Sequence, residues 1–299
     1  MPQQWTVRQS LWFLIGSTLL TLSLSGSGYY FWKQKQRSRL LDPCNIITSI
    51  LQTGPEKEAL KTSYLAELLE LSADQPKSLY ALNLRKAKEK LLACPLIADA
   101  EVKAYFPSTV YIDYEVRKPI GWLSDYENIA IDKDGYLFPV TPYLSPKELP
   151  EIYLGLPPFG SSPDRFGRSG GLWQTALSDP YFALAMKILD HLEHLPGLRV
   201  KRIDVSNAFS ESLGTREIVL FTEEDILIEK GEREVVCTFP KILRLAPKEY
   251  SEQLAHFLSL KKGMMEEYKR QLASAPEVGR FSPRIVDLRI PQLAFVENR

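Results

Sequence analysis

The side chains best suited to acid–base or metal chemistry in this sequence are its three histidines, His191, His194 and His256. His191 and His194 are three residues apart, a spacing that places two imidazoles on one face of a helix, where they could hold part of a zinc site. A zinc site needs further ligands, and no set of cysteines or carboxylates stands at metal-ligand spacing beside them. The pattern therefore favours solvated or hydrogen-bonded helix residues, and we expect no metal site.

Two other segments contain residue types that bind ions or phosphates. Asp132, Asp134 and Gly135 could begin a calcium loop, but the remaining oxygen ligands and a glutamate at the twelfth position are missing, so a hairpin turn is expected. The segment 167–171 (GRSGG) lacks the strand before it and the helix after it that a phosphate loop requires, which favours a flexible loop. We therefore expect no catalytic residue, no cofactor and no enzymatic activity.

The three cysteines, Cys44, Cys94 and Cys237, are too few and too scattered for a disulfide framework or a CxxC metal site. Cys44 and Cys94 flank the first predicted domain and could pair outside the cytoplasm, and the sequence leaves that pairing open. The net charge limits the kinds of partner that the chain is expected to bind. With 37 basic and 37 acidic residues the chain has no net field to attract nucleic acid or anionic lipid, which favours protein partners.

A long apolar segment stands near the N-terminus. Residues 9–32 carry no charge between Arg8 and Lys33, and as a helix they would reach about 36 Å, enough to cross a hydrocarbon core of about 30 Å. Aromatic residues at 29–32 form a belt at one end, as is typical of membrane anchors. We predict a short tail at 1–10, a transmembrane helix at 11–32 and a juxtamembrane linker at 33–44.

Two features of this segment leave alternatives open. The small residues Ser25 to Gly28 could mark the cleavage site of a signal peptide, although the long apolar run and the basic flank favour an anchor. Charge does not decide the orientation either. Lys33, Lys35, Arg37 and Arg39 follow the segment, and the simple positive-inside count would put the large domain in the cytoplasm. Long domains can nevertheless translocate regardless of such charges.

The elements that follow predict a small domain at 45–117. A short strand at 45–52 precedes two helices, which begin near Ser63 and at the capping residue Asn83. Alternating apolar residues then predict a hairpin of two strands on either side of Pro107-Ser108, with Phe106 on the apolar face. The order strand, helix, helix, strand, strand indicates a three-stranded sheet covered by both helices on one face.

The rest of the chain, 118–297, predicts a β-rich domain with two helices. Asp179-Pro180 is an N-terminal helix signal for a helix ending near Leu195, and a second helix is predicted at about 248–272. Residues 284–296 (RIVDLRIPQLAFV) are expected to form one terminal strand. The remaining strands are predicted at 120–124, 129–132, 136–140, 152–154, 200–205, 216–221, 225–229 and 234–239. The fold class is thus α+β.

Two sets of residues carry a resemblance to a known family. The first comprises Pro95, Ile97, Glu101-Val102, 107–112, 115–119, Trp122 and 131–138, and the second comprises Asp287-Leu288-Arg289 with Ala294-Phe295-Val296. Together with this organisation they resemble the FtsQ/DivIB family of bacterial cell-division proteins, whose DLR motif is similar to the second set, although this chain has Ile290, Pro291 and Leu293 where the family commonly has a tyrosine and a glycine. The resemblance covers roughly residues 10–297 and implies an N-terminal transmembrane helix, a POTRA domain (βααββ) and a β domain.

The resemblance implies a non-enzymatic divisome scaffold with a cytoplasmic N-terminus and a periplasmic body, enriched at the division site. Family members bind FtsB and FtsL, partly by strand addition at the terminal sheet edge, and contact other divisome proteins, which could include a septal peptidoglycan synthase. Pro291 cannot donate to such a ladder, so an added strand is expected along 285–290 or 292–296, unless this segment is a buried core strand. The expected partner-binding residues are Ile285, Val286, Asp287, Leu288, Arg289, Ile290, Gln292, Leu293, Ala294, Phe295 and Val296.

Two other functions remain open from the sequence. An envelope transport or secretion factor could use a POTRA module, but it would need further POTRA repeats or a membrane β-barrel, for which the sequence has no pattern. A membrane-tethered envelope enzyme would need ligands that the sequence does not place together.

Overall fold

The computed structural model describes residues 7–158, 175–195, 198–230, 233–274 and 284–298. The chain divides into two compact units, Met1–Val116 and Arg117–Arg299. The predicted flexible loop at 167–171 lies outside the described residues. The predicted α+β class with an apolar N-terminal helix is confirmed.

The first unit begins with one long helix, α1 (Val7–Leu41). It contains the predicted span and continues beyond it, and its most apolar window is not buried against the rest of the protein. Trp12 and Phe31 are both exposed along it. Its length and hydropathy make α1 a candidate membrane-spanning helix, a description that a signal sequence also satisfies.

The remainder of the first unit has the predicted order of strand, helix, helix, strand and strand. The elements are β1 (Ser49–Thr53), α2 (Thr62–Leu68), α3 (Leu84–Leu92), β2 (Ile97–Tyr105) and β3 (Thr109–Val116). In the sheet, β3 lies between β1 and β2, parallel to the former and antiparallel to the latter. The first strand starts at Ser49, later than predicted: Pro43–Asn45 forms a 3₁₀ turn capped by the Asp42 carboxylate, and Ile46 forms an isolated bridge with Ser78.

Alternating burial explains this sheet. Val110, Ile112 and Tyr114 of β3 are buried, and the Tyr114 hydroxyl accepts a hydrogen bond from the Leu60 N–H at 2.8 Å, so its polar end is satisfied. Asn83 caps α3 as predicted, accepting from the Lys86 N–H. One expectation is wrong: Phe106 lies beyond the end of β2, in the turn, and is 59% exposed.

The second unit is built on one sheet, which has nine strands within the described residues. Their order across the sheet is β12-β11-β10-β9-β8-β7-β4-β5-β6. Helices α4 (Pro180–Glu193) and α5 (Tyr250–Ser274) contribute Ile188 and Phe257 to its core, so both predicted helices are confirmed. The strands are β4 (Gly121–Leu123), β5 (Ile129–Ile131), β6 (Leu137–Pro139), β7 (Glu151–Tyr153), β8 (Arg199–Asp204), β9 (Ile218–Lys230), β10 (Arg233–Leu245), β11 (Arg284–Asp287) and β12 (Phe295–Asn298).

The prediction of two separate strands at 216–221 and 225–229 is wrong, because β9 runs without a break through the charged residues between them. Glu224 is buried there, with its carboxylate 2.6 Å from the Lys241 ammonium of β10 and 2.7 Å from the Lys261 ammonium of α5. Burial lowers the pKa of Lys241, and the hydrogen bond to Glu224 only partly offsets that effect. Ion pairing from other elements therefore makes a buried strand of a segment whose charges suggest a turn.

The single terminal strand predicted at 284–296 is also wrong. β11 and β12 are two antiparallel strands, and the chain reverses between them. Pro291 and Gln292 stand at the second and third positions of a turn closed by the Leu293 N–H donating to the Ile290 carbonyl, and Gln292 has a φ of 63°. Proline followed by a positive φ is the pattern of a type II turn, so Pro291 separates two strands instead of interrupting one.

Candidate functional site

The edge strand β12 is the most open part of the terminal segment. It pairs with β11 on one side and has no neighbour on the other within the described residues. Phe295, Val296 and Glu297 are all exposed, so the strand is covered on neither face. An open edge presents unpaired N–H and C=O groups, to which a strand of another chain can add.

Three other strands, β1, β2 and β6, also form sheet edges, and two of them are less available for pairing. In the second unit β6 is three residues long, ends at Pro139, and has Leu137 and Phe138 fully buried. In the first unit β2 has an irregular register between Ile97 and Asp99, and it carries the Glu101–Lys103 ion pair. Prolines, charges and bulges are features that protect sheet edges from association. β1 is also an edge, but strand addition is best supported at β12 because only there does a groove lie beside the edge among the cavities described.

A groove with a partly apolar lining lies beside β12, and Arg216, Lys248 and Glu249 are among the charged residues that also line it. Its cavity volume is about 560 Å³. Phe209 and Leu213, from the segment before β9, line it together with Ile290, Pro291 and Phe295, and all of these except Pro291 are large hydrophobic side chains exposed to solvent. A groove of this kind next to a free edge can hold an apolar side chain of an added strand, so that the edge supplies affinity and the groove supplies selectivity.

Four charged side chains fasten the wall of this groove. The Arg289 Nη2 lies 2.8 Å from the Asp287 carboxylate, and its Nη1 lies 3.3 Å from the carboxylate of Glu217, which directly precedes β9. Arg244 of β10 contacts the same two acids, at 2.6 Å from Glu217 and 3.4 Å from Asp287. Arg289 also donates to the Gly214 carbonyl at 3.2 Å. The cluster thereby joins β10, β11 and the 213–217 segment.

The electrostatics of the cluster favour the charged forms. Burial alone would raise the pKa of the Asp287 carboxyl, but hydrogen bonds from the Arg289 side chain and N–H, together with the positive charges of Arg289 and Arg244, hold that pKa below its usual value. The hydrogen bond to Asp287 in turn raises the pKa of Arg289. Asp287 and Arg289 therefore form an ion pair with each other, and their main role is structural.

The structure separates the predicted partner-binding residues into two groups. Val286 and Leu288 are buried in the core, Ile285, Asp287 and Arg289 are partly buried, and β11 is paired on both sides, so no strand can add along 284–287. Ala294 is partly buried and packs against the core. The second group is exposed and comprises Ile290, Gln292, Leu293, Phe295 and Val296.

Sequence reasoning missed the far wall of the groove. Phe209 and Leu213 are the two large apolar residues of an otherwise mostly polar segment, NAFSESLGTRE, and both are exposed in the structure. Two large apolar residues in such a segment were the feature of the sequence that could have indicated a binding surface. Glu217 and Arg244 were missed because their partners are distant in the sequence.

His191, His194 and Asp132, which the sequence offered as possible ligands, each contact another residue in the structure. The His194 Nδ1 lies 2.6 Å from the Asp190 carbonyl, an interaction that raises the pKa of His194, and the His191 ring lies edge-on to Tyr250. Asp132 is buried, pairs with Arg117 at 2.7 Å and accepts from the N–H groups of Asp134 and Tyr136. In the part of the chain that the structure describes, no group of three or more His, Cys, Asp or Glu side chains is placed to hold a metal ion.

The three cysteines form no disulfide in this structure. Cys44 is exposed, whereas Cys94 and Cys237 are buried. The Cys94 sulfur lies 3.4 Å from the Tyr64 hydroxyl. The pairing of Cys44 with Cys94 that the sequence leaves open is thus not formed here.

We expect Asp287→Asn to destabilise the second unit at neutral pH and to have little effect in acid. A folded-state pKa below the unfolded value of about 3.9 gives stability that is present above that pH and is lost as pH falls through the folded pKa. Hydrogen bonds to a charged partner contribute about 1.5–3 kcal/mol. Melting temperatures at pH 7 and pH 3 measure the difference, with Glu211→Gln, an exposed loop position, as the control. An equal loss for Asp287→Asn at both pH values would contradict the assignment.

A comparison with protein-family models finds no match for this chain, and a search of curated proteins finds none either.

Proposed function

We propose that the chain is a non-enzymatic scaffold of the bacterial divisome, which recruits other division proteins by strand addition at β12. The observation that carries this proposal is the open edge of β12, exposed on both faces beside the groove. Main-chain pairing along such an edge binds any extended peptide, and Phe295 and the groove would select among them. The expected partners are FtsB- and FtsL-like membrane proteins, with a septal peptidoglycan synthase as a further candidate.

The architecture of the first unit supports comparison with a POTRA domain. The element order β1, α2, α3, β2, β3 is the βααββ order that the resemblance to the FtsQ/DivIB family implies. In the proposal this domain serves recruitment and further divisome contacts. Its POTRA assignment and the division role are supported by the resemblance of the quoted residues together with this element order.

The anchor supports the proposed location. α1 is long and apolar enough to cross a bilayer, and the aromatic side chains of 29–32 near its C-terminal part are exposed, as an interfacial belt requires. In the proposal the N-terminus is cytoplasmic and the body lies outside the cytoplasm. That orientation follows the family and opposes the simple count of positive charges, because domains of this length translocate largely regardless of flanking charge.

We expect a fluorescent fusion at the N-terminus of the full chain to concentrate at the division plane of dividing cells. The matched control replaces residues 7–32 with an unrelated single-span helix, and it should still concentrate there, because the proposal assigns recruitment to the body. A uniform membrane signal from the full chain would refute the division role. Loss of enrichment in the helix-swapped control alone would move recruitment from the body to α1.

A further inference from the structure

Three side chains from separate elements stack at one end of the three-stranded sheet. The Phe106 ring of the β2–β3 turn lies 4.8 Å from the Tyr80 ring, centroid to centroid. The Arg39 guanidinium of α1 lies 5.3 Å from the centre of the same Tyr80 ring. Both aromatic rings are exposed, and together they form a continuous surface with the last turn of α1.

This end of the sheet is the end at which the chain arrives from α1. The parallel pairing of β1 and β3 places Ser49 opposite Thr109, so the start of β1 lies beside the β2–β3 turn. The Thr48 N–H donates to the Ser108 carbonyl at 3.0 Å and fixes the turn to the incoming chain. The Asn45 side chain further ties this connection to the helix by donating to the Arg39 carbonyl at 2.9 Å.

The helix places the stack close to a bilayer surface. Trp32 ends the aromatic belt, and Arg39 follows seven residues later in the same helix, which at about 1.5 Å per residue is about 10 Å along its axis. The headgroup layer is about 5–8 Å thick on each side, since a bilayer measures about 40–45 Å with headgroups and about 30 Å without them. When α1 crosses upright with Trp32 at the edge of the hydrocarbon core, the Arg39 backbone lies about 2–5 Å beyond the headgroup layer, within reach of its own long side chain.

The charges around the stack fit the same surface. Lys33, Lys35, Arg37 and Arg39 lie in the part of α1 between the aromatic belt and the sheet, and all are exposed. Cationic side chains next to a membrane helix are attracted to anionic headgroups, and aromatic rings with polar groups concentrate at the membrane–water interface. These cations directly follow a candidate membrane span, so anionic headgroups are the partner nearest to them, which makes lipid the expected occupant.

We propose that the sheet end formed by Tyr80 and Phe106 rests on the lipid headgroups of the bilayer that α1 crosses. The inference rests on the proposed function only in requiring that α1 spans a membrane. Contact at this second place would restrict rotation of the small domain about the end of α1 and hold its sheet at a fixed inclination to the membrane. The position and the positive charge of the surface favour lipid, and the expected contacts are anionic phospholipids such as phosphatidylglycerol.

Fluorescence quenching tests the contact with the full chain in vesicles of phosphatidylethanolamine and phosphatidylglycerol. In a Cys44→Ser background, one cysteine at a time carries the probe: Gly28→Cys in α1, Ala81→Cys beside Tyr80, or Glu115→Cys, about 20 Å away along β3. Nitroxide-labelled headgroups should quench the probe at 81 several-fold more than the probe at 115. Adding Tyr80→Ser and Phe106→Ser should reduce quenching at 81 towards the level at 115.

The probe at 28 distinguishes the two ways of failing. If acyl-chain nitroxides quench it while headgroup nitroxides quench 81 and 115 equally, α1 is inserted and the proposed contact is wrong. If the probe at 28 is not quenched, α1 does not span, and both the anchor and this inference are refuted. Unchanged quenching at 81 in the doubly substituted protein would refute the role of the two rings. Replacing phosphatidylglycerol with phosphatidylcholine should weaken quenching at 81, and an unaltered signal would refute the contribution of the cations.

Discussion

Phe295→Glu is expected to weaken capture of the proposed FtsB- and FtsL-like partners by about 30-fold or more without lowering the melting temperature of the protein. Phe295 is 56% exposed on the edge strand and lines the groove, so it stabilises the free chain little. An aromatic side chain that anchors an interface is typically worth about 2 kcal/mol or more, and each 1.4 kcal/mol changes affinity tenfold. A charge at an edge also opposes further pairing. Co-purification of the partners and their titration against the full chain in detergent measure the effect.

The opposite face of the same strand provides the control for Phe295. Val296→Glu places the same charge on β12 but directs it away from the groove, because successive side chains of a strand alternate. If the groove selects the partner, Val296→Glu should weaken binding less than Phe295→Glu. Equal losses would show that the edge alone, and not the groove, determines affinity.

A pair of proline variants tests main-chain pairing itself. Successive N–H groups of a strand point to opposite sides, so one of Val296→Pro and Glu297→Pro removes a donor from the open edge and the other removes one from the β11 side. The outward variant should lose partner binding at normal stability, and the inward variant should lose stability as well. Normal binding by both variants would exclude strand addition at β12.

The hairpin of the first unit could be predicted from sequence because its information is local. Alternation in each strand sets which side chains face inward, and the turn sets the register, so that Val102 pairs with Ile112 and both are buried. The same rule failed at Phe106, because alternation does not say where a strand ends. Phe106 lies in the turn beyond β2 and is exposed, at the sheet end for which a membrane contact is proposed.

The β9 strand was missed for the opposite reason. Its charged middle has the composition of a turn, and only partners from elsewhere make it a strand: Lys241 lies 17 residues further on, and Lys261 lies on another element, α5. Neither contact has a signature in a short window of sequence. A buried ion pair is stable when both members are present and costly when one is removed, so its contribution depends on the whole fold.

The candidate site was only half predictable for a related reason. Ile290 and Phe295 stand in a segment with a recognisable motif, but the groove is also lined by Phe209 and Leu213, about 80 residues earlier in the chain. The sheet order, in which β11 joins β10 in parallel after the long helix α5, brings these segments together. Sequence patterns predict strands well and their lateral order poorly, because pairing is non-local.

Leu288→Ala is expected to lower the stability of the second unit by about 2–5 kcal/mol, the usual cost of truncating a fully buried leucine. Leu288 is 1% exposed, belongs to the main core, and is held by its N–H donating to the Arg244 carbonyl at 2.9 Å. Pulse proteolysis of the full chain in urea measures the change. Leu293→Ala, at an exposed position five residues later, is the matched control and should alter stability by less than about 0.5 kcal/mol.

The Leu288 and Phe295 variants together test whether the terminal segment has two separate tasks. Val286 and Leu288 hold β11 in the core, and the Asp287–Arg289 cluster fastens the turn, so that β12 is presented as an edge. Leu288→Ala should therefore reduce partner capture only in proportion to the fraction of protein that unfolds, and binding should recover at lower temperature. A binding defect that persists under conditions where Leu288→Ala is fully folded would mean that the partner contacts β11 itself, and the division of the segment at Pro291 would have to be abandoned.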